Sequence, residues 1–292
     1  LVHLSRIFKQ HLHPLEALTE ILRYSFIQNA LLIALFSGIS CGIVGSYIVA
    51  RRSVFLGGGV THASFGGIGL AYLLGLNALW GAAVFAVAAS LGIEYFERKG
   101  GIRKDSAIGI VWSVGMALGI ICIHFTPGYT PDATSILFGN ILTVPHSTIV
   151  ASGILAAIVL IISIVWHRPI MFSAFDVDFA RSQGVHTGVI AYSMAIITAL
   201  TLVFSIQAIG IVMLISLLTF PAVIVGTLTK SYRKIACWSA VVAVVSNIAG
   251  LIFSYVWGIP TGAATIFTLA VSLIIVKMLS LYLNRKTLRA NR

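Results

Sequence analysis

Few side chains in this sequence could do chemistry, and they stand far apart. The chain has eight histidines, eight acidic residues and three cysteines. His62 is the most suggestive of them. It lies within a long apolar stretch, with Thr61 and Ser64 close by. Gly58, His62, Gly66 and Gly69 recur at i, i+4, i+8 and i+11, so on a helix they share one face. Glycine lets helix backbones approach closely in lipid, and an imidazole on such a face has room for a metal ion or a second copy of itself. An ionisable group inside an apolar span points to a transport path. A buried histidine bonded to a neighbouring carbonyl fits the spacing equally well.

The other candidates are weaker. His124 lies toward the end of its apolar run, and Asp132 is the one acidic residue expected in the loops on that side. Asp132 could attract cations, although a cap for a half-helix over 133–138 accounts for it better. His146 follows Pro145 and suits a membrane interface, and His11 and His13 form a pair in a polar tail. Cys41, Cys122 and Cys237 each sit in an apolar run, with no CxxC pair and no disulfide framework. The segment 175–186 (FDVDFARSQGVH) reads as a short polar helix. Asp176 and Asp178 suit its start and Arg181 its end, and Gly184 suits the residue just past it. Such a helix is either a linker or a docking element for a soluble partner.

Several chemistries are excluded. There is no GxxxxGK[ST] phosphate loop, so ATP hydrolysis is expected on a separate chain. There is no GxSxG or HExxH motif either, and an enzyme is not expected.

These residues must be held by membrane helices. Hydrophobic residues make up 59% of the 292, and charged residues only 9%, against about 25% in soluble domains. About 20 apolar residues cross a bilayer as a helix, and in lipid each segment must satisfy its own backbone. The expected fold is all-α, a polytopic bundle of nine spans. They fall within 24–50, 53–93 (two spans, broken at Gly75-Leu76-Asn77), 106–131, 147–166, 182–229 (two, broken near Gln207) and 235–283 (two, broken at 258–262). A half-helix or re-entrant piece precedes Pro145. Residues 1–23 form a tail with the spacing of an interfacial helix, too polar for a cleaved signal peptide. Residues 24–284 form the transmembrane domain, and 285–292 a basic tail. The net charge of +11 does not imply nucleic acid, because Lys and Arg fill the gaps between apolar runs. Most of the 19 fall on one side if the N-terminus is outside and the C-terminus inside. Arg6, Lys9 and Arg23 in the tail oppose that assignment.

Four stretches resemble the zinc/manganese/iron permease subunits of bacterial metal ABC transporters. Arg51-Arg52 followed by FLGGGVTHASFGGIGLA is similar to the family's RR-x-SLxGDALSHAxLPGxAxA block. SILFGNIL (135–142) resembles its YLFGxIL segment, DFARSQGV (178–185) its (D/E)xARxxGV loop, and GIVMLISLLTFPA (210–222) its GxLLVxALLxxPAA stretch. The resemblance covers about 25–284. It implies a homodimer of permeases in the bacterial inner membrane, cytoplasmic ATP-binding subunits and an extracytoplasmic metal-binding protein. It also implies an ATPase-coupling helix here at Asp178, Ala180, Arg181, Gly184 and Val185. A metal contact is implied on the second span, where His62 matches the motif's histidine and Gly58 stands in place of its aspartate. Imidazoles without a carboxylate suit zinc better than manganese. The expectation is therefore a divalent-metal importer with zinc slightly ahead of manganese or iron. The competing readings are an iron-chelate or vitamin ABC permease, and a secondary transporter driven by an ion gradient. The latter would require carboxylates inside the spans, and the deepest is Glu94, near the inner end of its own.

Overall fold

The computed structural model of the chain describes residues 24–127 and 144–290. The N-terminal tail, Asp132, the expected half-helix and the 135–142 segment lie outside the described residues. Among the described residues there are eleven helices and no strand. In chain order they are α1 (Ser25–Ala50), α2 (Val54–Leu73), α3 (Ala78–Arg98), α4 (Lys104–Phe125), α5 (His146–Val165), α6 (His167–Phe175), α7 (Val177–Ser182), α8 (Thr187–Ile209), α9 (Ile211–Leu228), α10 (Tyr232–Trp257) and α11 (Thr261–Ala290). Nine of them are long and apolar enough to cross a membrane, and α6 and α7 are not.

The breaks follow backbone chemistry. Between α2 and α3, Gly75 takes φ +67° and the Asn77 side chain accepts from the Leu79 N–H at 2.9 Å, capping α3. Gly258 ends α10 in the left-handed region. The break expected near Gln207 lies instead at Gly210, whose φ of +74° excludes most other residues. Helix α11 runs on to Ala290, into the stretch read as a basic tail. Helix α6 was not expected; Pro169 falls at its third position, where no intrahelical N–H is needed.

Helices α1, α2 and α8 are the most enclosed spans, and α11 is almost wholly peripheral. Helix α2 lies against both α3 and α4, and glycine makes this possible. A Cβ added to Gly66 would sit 2.7 Å from the Gly115 carbonyl oxygen, and one on Gly115 would sit 2.6 Å from the Ala63 Cα. Gly69 meets Gly119 in the same way, and Gly67 meets Gly81 of α3. These are backbone-to-backbone contacts, where packing holds helices together in lipid. Gly58 stands apart from this seam. Its nearest neighbour is Ile215 Cδ1 of α9, 3.5 Å from an added Cβ. Helices α1 and α10 are joined by Asn247, whose Nδ2 donates to the Ala34 carbonyl at 3.0 Å.

At one end of the bundle gather the α1–α2 turn, the α3–α4 turn, α6, α7 and the start of α10. The Tyr232 ring there lies 5.6 Å from His167 and 6.0 Å from Phe175.

Gly115→Ala should lower the stability of the purified protein by about 1–3 kcal/mol, because the backbone of α2 must move to admit the methyl group. Gly92→Ala should not, since nothing lies within 4 Å of the added carbon. Thermal unfolding in detergent, followed for both variants, checks the contrast.

Candidate functional site

His62 is half-buried on α2. Its ring stacks on the Trp112 indole of α4, with centroids 4.5 Å apart and planes 2° from parallel. The glycine seam puts Trp112 there, since Gly115 and Gly119 lie on the same helix. No hydrogen bond to the imidazole is made among the described residues, so the carbonyl partner that a purely structural histidine needs is not seen there. Neighbouring Thr61 is buried, and its hydroxyl likewise finds no partner among them. Ser64 donates to the Thr61 carbonyl at 2.6 Å. Among the described residues no three His, Cys, Asp or Glu side chains converge on a common point. Within one copy of the chain His62 thus stands without such a group of side chains around it among the described residues. Gly58, one turn earlier, adds no donor and is buried against Ile215 of α9.

Among the described residues, His124 and His146 do not join it. His124 ends α4 with its ring edge-on to Phe125 at 5.4 Å, and His146 is exposed at the start of α5.

The 175–186 segment is built from its own residues. The Asp176 carboxylate accepts from the N–H groups of Asp178 at 3.0 Å and Phe179 at 2.9 Å, capping α7. Arg181 pairs with Asp178 at 3.1 Å, both well exposed. The helix closes with Gly184 at φ +77°, the Gly184 N–H on the Arg181 carbonyl (2.9 Å) and the Val185 N–H on the Ala180 carbonyl (3.0 Å). Ala180 is fully buried beneath it. The helix spans 177–182, and the expected residues 183–185 form its closing turn.

Sequence reasoning missed a cluster of charges at the same end. Glu94 is buried, its side chain 3% exposed. It accepts from Arg98 at 2.8 Å and Arg51 at 3.1 Å, and Lys104 stands 3.8 Å away. Glu97 pairs with Lys104 at 2.8 Å and with Arg51 at 3.5 Å. Arg51 also donates to the Tyr47 hydroxyl at 3.0 Å, and Arg98 to the Thr187 carbonyl at 2.9 Å. Burial by itself would pull the Arg51 guanidinium down. Tyr47, Glu94 and Glu97 outweigh it and hold Arg51 above its ordinary value, firmly protonated. The i,i+4 spacing of Glu94 and Arg98 was the only signal in the sequence.

The fold and these sites can be set beside known proteins. The model of the ABC 3 transport family matches residues 23–280, and the chain belongs to that family. It is 35% identical over 246 residues to the "Manganese transport system membrane protein MntC" of Listeria monocytogenes, covering 84% of this chain and 88% of that one. It is 34% identical to a Haemophilus influenzae protein named "Probable iron transport system membrane protein", covering 88% and 95%. Among solved structures, it resembles PsaBC from Streptococcus pneumoniae in complex with Fab. The TM-score is 0.77 at 28% identity, over 89% of this chain and 93% of that one.

Asp176→Ala should remove the cap of α7 and cost about 1 kcal/mol locally. Amide hydrogen exchange at 178–182 should speed up while the global melting temperature stays put.

Proposed function

We propose that this chain is the membrane permease of an ATP-driven importer for a divalent first-row transition metal, manganese or iron. The observation that carries the reading is the family match along nearly the whole chain, joined to full-length relatives named for manganese and iron transport. The zinc preference expected from an imidazole-only site finds no support among these relatives.

In this reading two copies of the chain pair about a central path, and each brings His62 to it. One copy supplies a single imidazole, so a site able to hold an ion requires the second copy, with Thr61 or water completing the shell. Loose ligation suits a conduit, since an ion held tightly does not leave. Asp132, outside the described residues, is proposed to draw cations to the outer mouth. The end that carries Arg51, Arg98, Lys104 and α7 faces the cytoplasm, by the distribution of Lys and Arg. There α7 and its closing turn, with Asp178, Ala180, Arg181, Gly184 and Val185, dock on a separate ATPase. An extracytoplasmic protein delivers the metal to the other side. The protein sits in the inner membrane with its N-terminus outside and C-terminus inside. Residues 24–284 are its permease domain. A gradient-driven carrier is disfavoured because Glu94, the deepest carboxylate expected, is ion-paired with three cations.

His62→Ala should lower manganese uptake into vesicles on the order of 10–100-fold without changing the yield of folded protein, and Gly58→Asp should tighten manganese binding. Unchanged uptake by folded His62→Ala would remove His62 from the path. Arg181→Glu should separate ATP hydrolysis from transport while leaving the melting temperature unchanged. A cysteine at Gly258 should react with an impermeant thiol reagent from outside the cell and one at Lys230 should not, which tests the orientation.

A further inference from the structure

The Glu94 cluster is more than an anchor for four helix ends, because a path of hydrogen bonds and ion pairs leads from α7 to the helix that covers His62. Helix α7 is stitched to α8 by the Val185 N–H on the Ala180 carbonyl and the Thr187 N–H on the Val185 carbonyl (2.8 Å). The first residue of α8, Thr187, is buried, and its carbonyl receives the Arg98 Nη2 at 2.9 Å. The same guanidinium places its Nε on Glu94 at 2.8 Å. From Glu94 the chain divides. One branch enters α1 through Arg51, and the other reaches Lys104, the first residue of α4, through Glu94 and Glu97. Two turns along α4, about 12 Å on, Trp112 lies flat on His62. Just beyond Trp112, Gly115 and Gly119 meet the α2 backbone directly, so α4 and α2 are packed to move as a pair.

We propose that this cluster is the relay by which movement of α7 reaches α4 and the His62–Trp112 stack, and that Arg98 is the positioning residue that closes it. Arg98 suits the role because one planar group bridges two elements: a carboxylate on α3 and a backbone carbonyl on α8. Lysine offers a single point charge and cannot repeat that fork. A packed network with two discrete arrangements is the physical form such coupling takes. The proposal rests on the reading of α7 as the docking element for an ATPase.

The test uses the permease in lipid vesicles with the ATPase subunit that co-purifies with it. Two quantities are read: manganese ions taken up per ATP hydrolysed, and the change in Trp112 emission when ATP and vanadate are added. The Trp112 signal is the part of the change lost in a Trp112→Phe variant. Arg98→Ala should keep its ATPase subunit bound, lose the Trp112 response and lower the ratio by about tenfold. Arg98→Lys should fall between it and the parent protein. If the cluster merely holds helix ends together, Arg98→Ala will melt at a lower temperature yet show the parental ratio and response, and the relay is overturned. If Arg98→Ala does not fold, Arg98→Lys and Glu94→Gln are read the same way, and parental values in both overturn it. A parent protein that shows the Trp112 response but takes up no manganese refutes the metal assignment instead, and the relay is then read from the response alone.

Discussion

The close approach of α2 to α3 and α4 is the constraint on which the rest depends. In lipid no hydrophobic force presses helices together, so they must fit. Gly66, Gly67 and Gly69 bring the α2 backbone against the backbones of its two neighbours. That contact fixes the height and rotation of α4, and with them the position of Trp112 over His62. A histidine in a span is costly unless its surroundings are arranged for it. Here one side of the ring is covered by an aromatic face, and its edge makes no hydrogen bond among the described residues.

The second organising feature is where charge is allowed. Burying an ion is expensive and is repaid only when partners stand at good distances. In this protein the cost is met at one end of the bundle. Three cations and two carboxylates from α3, α4 and the α1–α2 turn interlock there, beside the start of α8. Among the described residues, the polar groups buried deeper inside are uncharged, such as Asn247 on the Ala34 carbonyl. Rigidity thus comes from backbone contact in the middle of the bundle and from ion pairs at its end.

Much of this was legible in the sequence. The nine spans follow from charge-free runs. Gly75 and Gly258 mark turns because their φ values admit little else. The short helix at 177–182 could be read from Asp176, Arg181 and Gly184, since caps are local chemistry. What could not be read was tertiary. The polar Gln207 drew the expected break away from Gly210, where the backbone turns. Four residues at helical spacing share a face in projection, yet Gly58 meets α9 while Gly66 meets α4, because the neighbours change with depth. The Glu94 cluster joins Arg51 to Lys104 across two intervening helices, and no local pattern announces such a meeting.

Helix α11 brings the bilayer itself into the picture. Its 30 residues rise about 45 Å, against about 30 Å of hydrocarbon, and little of its surface is covered by the rest of the chain. Such a mismatch is met by tilting, or by letting the last turns stand clear of the acyl chains. A bilayer of different thickness would therefore change the tilt of α11 against the helices it packs on.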